Sequence, residues 1–360
     1  MWTSSNWRLI LIFVSCIATE LTGSDLLERD PQFVCGFESP FQTPLPVNDN
    51  FTLLVGVGFL KAGTTRIGEC LRNETSLSLC SPPRKELRFL HSKAVASCTR
   101  PSFQLLNSTQ TFANDLCGLD RQKELRTEYV HKLLPHMHET DGLGSLKCTT
   151  VWEFTPGYLQ GTPSTLCALR FLKHLFPSVT VIVSLRDEVD RAHSQQNMWL
   201  KRRCRGTERN ALVRCSDLTA ETQLQFELDF IRHGKETSCQ NLFIDPNVTK
   251  EPFASFLDLS RCNFALAKAL SEHPALFGTC NWFPRPTGVR LPQQQAGLPN
   301  CPAPVLIQSH YAIFLQALLK IFGERGLIII DGAAAGNGGH DSDVFRKSYL
   351  GLLSVIDKHG

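Results

Sequence analysis

The stretch Phe51–Cys70, FTLLVGVGFLKAGTTRIGEC, constrains the chain more than any other. Leu53, Leu54, Val55 and Val57 form a short apolar run of the kind a buried strand requires. Gly56, Gly58 and Gly63 surround Lys61, and Thr64 and Thr65 close the glycine-bearing segment. Ile67, Cys70 and Leu71 follow at helical spacing. Strand, glycine-bearing loop and helix start, in that order, aim backbone N–H groups and a helix N-terminus at an anion. Gly63 permits close backbone approach, Lys61 adds a point charge, and the two threonines add hydroxyl donors. This is not a Walker A loop, in which the lysine follows the last glycine. A glycine-bearing turn with a solvated lysine is the plain alternative.

Other segments supply the rest of a sheet. Gly144–Leu159 reads as a strand running into a turn at Pro156 and Gly157, and Thr165–Phe176 as a helix stopped by Pro177. Val179–Leu185, VTVIVSL, reads as a second buried strand, continuous in β-branched residues as central parallel strands are. It delivers Arg186 at its carboxyl end, where open α/β sheets place ligand contacts. His310–Phe322 has the spacing of an amphipathic helix, Leu327–Ile330 reads as a third buried strand, and Asp343–Ile356 as a closing helix. Gly332–Gly339 reads as a flexible linker or a nucleotide loop. Residues 195–300 carry no sheet signal; there Lys201, Arg202, Arg203, Arg205, Arg209 and Arg214 stand against Glu208 alone, as a solvated basic face or an acceptor-binding patch. His131, His136 and His138 read as solvated rather than as ligands.

Composition bounds the partners and the compartment. With 20% charged and 42% apolar residues over 360 positions, the chain has a globular composition, and its net charge of +3 gives no argument for nucleic acid. In residues 1–23, Arg8 precedes an apolar run, Leu9–Ala18, shorter than the roughly 17–25 residues that span a bilayer. The segment reads as a signal peptide or a short signal anchor, which places the body in the secretory lumen, secreted or membrane-tethered. Residues 24–50, with Pro31, Pro40, Pro44 and Pro46, read as a stem, and 51–360 as the folded domain. Asn50, Asn73, Asn107 and Asn247 begin glycosylation sequons. Thirteen of the fourteen cysteines lie beyond the leader, so pairing is expected to leave one odd thiol. There is no C-x-x-C pair and no histidine–cysteine spacing for zinc, so no metal is expected.

The motifs line up in a familiar order. KAGTT at 61–65, KELRFL at 85–90, RDEVDRAHS at 186–194 and HYAIFLQALLKIFGERGLIII at 310–330 resemble the Golgi carbohydrate sulfotransferases. Gly144, Thr149 or Thr150, and Trp152 also resemble a pattern of that family. The likeness is to the branch with the N-acetylgalactosamine 4-sulfate 6-O-sulfotransferases and the heparan sulfate sulfotransferases. It covers about 51–360, with 195–300 matching poorly. It implies an α/β fold, a P-loop-like three-layer sandwich with a central mainly parallel sheet. It also implies sulfuryl transfer from 3′-phosphoadenosine 5′-phosphosulfate (PAPS) to a hydroxyl of an anionic carbohydrate in the Golgi lumen. Position by position, Lys61, Ala62, Gly63, Thr64 and Thr65 would hold the 5′-phosphosulfate, with Lys61 also stabilising the bridging oxygen. Arg186 and Ser194 would hold the 3′-phosphate, and Glu86 would be the general base. Lys85 and Lys147 would contact the acceptor or the sulfuryl group. Where the family has proline after R-D, this chain has Glu188.

Alternatives stay open on the same residues. Glu86 lies between Lys85 and Arg88 and reads as either a base or an ion-pair partner. A catalytically inactive glycan-binding relative and a P-loop small-molecule kinase are the rival functions; no strand ending in a magnesium-binding aspartate pairs with a G-K-[ST] loop, which weighs against the kinase.

Overall fold

The structure is a computed structural model, and its described residues are 34, 35, 37, 51–73, 79, 80, 82, 84–99, 101, 102, 117–134, 150–204, 220–233, 237–243, 252–271, 304–307 and 310–331. Lys147, the Gly332–Gly339 run, the Asp343–Ile356 segment, Arg205, Arg209, Arg214, His136, His138 and three of the sequon asparagines lie outside them.

Strand β2 (Thr52–Gly58) sits at the centre of a five-stranded sheet with β3 (Leu79–Cys80), β5 (Thr150–Phe154), β6 (Thr180–Leu185) and β7 (Leu327–Asp331), in the order β3-β5-β2-β6-β7. Every pairing in it is parallel. All of β5 and β6 is buried, because both faces of a parallel sheet are covered. The period of two divides β2 between two cores. Leu53, Val55 and Val57 face the larger one with Val181 and Val183, while Leu54 faces the smaller with Ile182, Trp152 and Phe154. Gly56 belongs to the second face, where an added Cβ would lie 1.9 Å from the Phe154 ring. Glycine is therefore required there by space, not by its backbone angles.

Helix α1 (Thr64–Asn73) covers the smaller core through Ile67 and Leu71. The larger core is closed by α3 (Leu119–Leu133), α4 (Pro163–Leu175), α8 (Pro252–Ser271) and α9 (Tyr311–Phe322). The chain is thus a three-layer α/β sandwich with a parallel central sheet. A short α2 (Lys93–Ala96) precedes α3; α5 (Glu188–Cys204) enters the region that carries no sheet signal, and α6 (Ala220–His233), α7 (Thr237–Phe243) and α8 are the described elements within it. Helix α4 starts at Pro163, two residues before the expected Thr165, because the Thr162 side chain accepts from the Thr165 amide and proline suits the first turn. Strand β1 (Val34–Cys35) pairs antiparallel with β4 (Pro101–Ser102), outside the main sheet.

Three disulfides tie these elements: Cys35–Cys167, Cys98–Cys117 and Cys239–Cys262. The first spans 132 residues, which in the chain-entropy picture stabilises by about 4–5 kcal/mol. Cys80 is also disulfide-bonded, and Cys70 on α1 is a free thiol whose pKa burial raises.

The connections mark the edge of the sheet where a ligand site is to be sought. From β2 the chain passes through α1 to β3, beyond β5; from β5 it passes through α4 to β6, beyond β2. Strands β2 and β6 are neighbours whose helices leave in opposite directions. Their carboxyl ends form the switch-point crevice where open α/β sheets bind ligands.

Residues 304–307 are held across α5 and α6 by buried polar groups. Arg191 donates to Val305 O at 2.7 Å and to Gln195 Oε1 at 2.6 Å. Glu227 accepts from the amides of Val305 and Leu306, both at 2.9 Å, and from Gln223 Nε2 at 2.6 Å. Burial pushes the Glu227 carboxyl up to about 7 against those hydrogen bonds. A carboxyl whose folded pKa is raised contributes stability below its unfolded value and loses it as pH rises through the folded one. Wild-type stability relative to Glu227→Gln should therefore fall between about pH 4.5 and 7, as chemical denaturation across that range will read out. Parallel curves for the two proteins would refute this.

Candidate anion-binding site at the carboxyl edge of the sheet

The loop after β2 is closed by backbone contacts. Phe59 N donates to Ser184 O on β6 at 3.1 Å, Ala62 N returns to Phe59 O at 3.1 Å, and Ser184 Oγ donates to Ala62 O. Gly63 O accepts from Arg66 N at 3.0 Å and Ile67 N at 3.2 Å, which starts α1 at Thr64. The amides of Thr64 and Thr65 are then among the first-turn donors that a helix cannot satisfy itself. Gly63 has φ 85°, the left-handed region that suits glycine. Lys61 has φ 67° and Arg88 has φ 53°; among the described residues they are the non-glycine residues with positive φ. Both are cations, and both belong to expected site motifs. Strained backbone of this kind costs on the order of 1 kcal/mol and gathers at functional sites.

The second segment reaches the same helix end. Lys85 Nζ donates to Thr65 Oγ1 at 3.0 Å, and its stem runs over Gly68, where an added Cβ would lie 3.5 Å from Lys85 Cε. Burial lowers the Lys85 ammonium pKa, opposed by Glu86 and Glu69. Glu86 uses one oxygen, Oε2, to accept from Arg88 Nη2 at 3.0 Å and Nε at 3.3 Å. Its side chain is 36% exposed and that of Arg88 68%, so the pair faces solvent.

The third segment follows β6. Arg186 Nη1 donates to Lys61 O at 3.5 Å, and Nη2 lies 3.5 Å from Asp190 Oδ2. Its Nε is buried without a hydrogen-bond partner. The Arg186 carbonyl accepts from Tyr311 OH at 2.9 Å, which anchors this strand end to α9. Asp187 caps α5, its Oδ1 accepting from the amides of Val189 and Asp190 at 3.0 Å. Glu188 is the first residue of that helix, a position where proline and acids are both favoured. An acid at this position therefore suits the start of the helix. Ser194, half-buried, lies further along α5.

Lys61, Gly63, Thr65, Lys85 and Arg186 are thus brought to one helix end from three segments, with Glu86 beside them. Ala62 contributes its carbonyl to Ser184 and its side chain to the core. One residue the sequence reading passed over is Glu153, on β5 and fully buried. Its Oε1 accepts from Tyr129 OH and, at 3.0 Å, from Tyr158 OH; its Oε2 accepts from Thr155 Oγ1 at 3.1 Å and Leu87 N at 3.3 Å. Burial raises its pKa and the four hydrogen bonds oppose that rise. An acid between Trp152 and Phe154 in an all-buried strand was the available signal, since a buried carboxyl demands partners.

Among the described residues no group of three or more His, Cys, Asp or Glu could hold a metal, and no helix is long and apolar enough to cross a membrane. No protein-family model, curated protein or solved structure matches the chain.

The left-handed backbone at Lys61 can be separated from its charge. Lys61→Gly and Lys61→Ala both remove the cation, so both should weaken binding of inorganic pyrophosphate equally. The glycine variant should be the more stable by about 1 kcal/mol in urea unfolding, since only alanine carries the left-handed penalty. Equal stabilities would show that the loop is unstrained.

Proposed function

We propose that this chain is a lumenal carbohydrate sulfotransferase that carries a sulfuryl group from PAPS to a hydroxyl of an anionic glycan. The observation that carries the reading is the meeting of Lys85, the Lys61 loop and Arg186 at the N-terminus of α1, on the switch-point edge. A helix N-terminus flanked by cations suits a phosphosulfate, and the motifs stand in the order of the sulfotransferase family they resemble.

In this reading Lys61 and the first-turn amides of α1 hold the 5′-phosphosulfate, with Thr64 and Thr65 as further donors. Lys61 also neutralises charge that develops on the oxygen bridging phosphorus and sulfur, and Lys85, bonded to Thr65, contacts the sulfuryl group or the acceptor. Arg186, with its unsatisfied Nε, and Ser194 receive the 3′-phosphate. Glu86 takes the proton of the acceptor hydroxyl as that oxygen bonds to sulfur. The bridging sulfur–oxygen bond breaks with its electron pair leaving on the 5′-phosphate. Transfer of this type relies on positioning and charge stabilisation, which are what these residues offer. Arg88 holds one oxygen of Glu86 and so orients the carboxylate. Lys147 keeps its proposed place near the sulfuryl group from sequence alone.

Two contacts favour a second reading, a relative that binds the nucleotide or a glycan without turnover. Glu86 is ion-paired with Arg88, and Arg186 faces Asp190. Transfer of labelled sulfate from PAPS to desulfated glycosaminoglycans and simple glycans decides between them. Binding of 3′-phosphoadenosine 5′-phosphate with no transfer would establish the second.

Two variants divide the roles. Glu86→Gln should keep nucleotide affinity while turnover falls about 10²–10⁴-fold, the worth of a positioned base. A folded Glu86→Gln protein with near-normal rate and a lowered melting temperature would make the residue an ion-pair partner only. Arg186→Ala should weaken 3′-phosphoadenosine 5′-phosphate by about 10–100-fold, the worth of a charged hydrogen bond. By calorimetry it should spare the analogue lacking the 3′-phosphate; equal losses on both ligands would move the 3′-phosphate site elsewhere.

A further inference from the structure

The segment that presents Lys85 and Glu86 is short of regular structure. Between Lys85 and the 3₁₀ turn Phe89–His91 the backbone forms no helix or strand, and Arg88 takes a left-handed conformation. Its backbone groups are satisfied instead by one patch of the β5 end. Phe154 N donates to Lys85 O at 3.0 Å. Leu87 N donates to Glu153 Oε2, and Arg88 N donates to Thr155 Oγ1, both at 3.3 Å. Leu90 N donates to Tyr158 OH at 3.4 Å. Thr155 Oγ1 and Tyr158 OH in turn both donate to Glu153. Each of these three amide contacts therefore ends, directly or through one hydroxyl, on the same buried carboxyl group.

We infer that Glu153 is the positioning residue of this site: it fixes the 85–90 segment so that Lys85 and Glu86 are held against the N-terminus of α1. This rests on the function proposed above for what the two residues do, but not for how they are held. A carboxyl group with two acceptor oxygens can take four donors at once, which no other side chain of its size can do. Tyr129 supplies the fourth and is itself fixed by stacking on Phe89, ring centroids 4.5 Å apart, so the turn after Arg88 is clamped from both sides. Glu153 is fully buried, so its effect on chemistry passes through the groups it holds, Leu87, Thr155 and Tyr158. All four partners donate to Glu153, so removing an acceptor oxygen there leaves a hydroxyl or an amide unpaired.

Glu153→Gln keeps the size but turns one of the two acceptor oxygens into an NH2 donor that faces two of the four donors, and Thr155→Val breaks the relay to Arg88 while leaving the acid in place. Both are compared with Leu266→Ala, a core truncation on α8 that touches none of the Glu153 hydrogen bonds, as a control for lost stability. Three quantities are measured on the full chain: amide hydrogen exchange, dissociation constant for 3′-phosphoadenosine 5′-phosphate, and kcat for sulfate transfer. The expected result is faster exchange at Leu87, Arg88 and Leu90, unchanged nucleotide affinity, and kcat lower by about 10²-fold, the cost of a small misplacement. Leu266→Ala should lower the melting temperature while keeping kcat and the exchange of that segment. Unchanged exchange in both Glu153→Gln and Thr155→Val overturns the inference, and so does an equal loss of kcat in Leu266→Ala. If the wild type binds the nucleotide and transfers nothing, the proposed function fails, and exchange at the three amides still decides whether Glu153 holds the segment.

Discussion

The parallel pairing of β2 with both β5 and β6 is the constraint on which the rest of the structure depends. Because all three strands run the same way, their carboxyl ends share one edge, and each delivers a different kind of group there. The β2 end delivers a loop and a helix N-terminus, the β5 end a patch of hydrogen-bonding side chains, and the β6 end an arginine. Parallel pairing also forces each strand to return through a crossover, which is why helices cover both faces. Had β5 run antiparallel, Thr155 and Tyr158 would stand at the opposite edge, away from Lys61.

What was legible in the sequence was what is contiguous. Strand β2, its loop and α1 occupy a single run, and each residue there answers to a local requirement, so the strand, loop and helix around the candidate site could be read directly. Arg186 was legible for the same reason, as the residue ending an apolar run. Strand β3 was not, because two residues carry no periodicity and pair only by the register of β5, Leu79 with Thr150 and Cys80 with Val151. Helix α6 was also hidden, since its buried positions Gln223, Glu227 and Ile231 stand at helical spacing but two of the three are polar. Glu153 was visible as a residue and invisible as a hub: its partners come from α3, from the 85–90 segment and from the turn after β5.

Buried charge is unevenly spread through the molecule. Glu153, Arg191 and Glu227 are each fully buried and hydrogen-bonded, and Arg191 and Glu227 also feel one another's charge. Such groups cost desolvation and repay it only when every donor and acceptor is met. Their value is directional. The pair Arg191 and Glu227 fixes a crossing segment by its carbonyl and its amides, and Glu153 fixes another by its amides, where apolar packing would have allowed either to slide.

The Cys35–Cys167 bond gives the molecule a mechanical property. It closes a covalent ring that contains β2, the Lys61 loop, α1, Lys85 and Glu153, and it fastens the residues ahead of the domain to α4. Tension applied at the N-terminal side of Cys35 is transmitted through the sulfur bridge into α4, a covalent path that bypasses the backbone carrying β2. A tether at that end can therefore be pulled without drawing on the strand that carries the loop. A cut anywhere within the ring would likewise leave both pieces of the chain attached to one another.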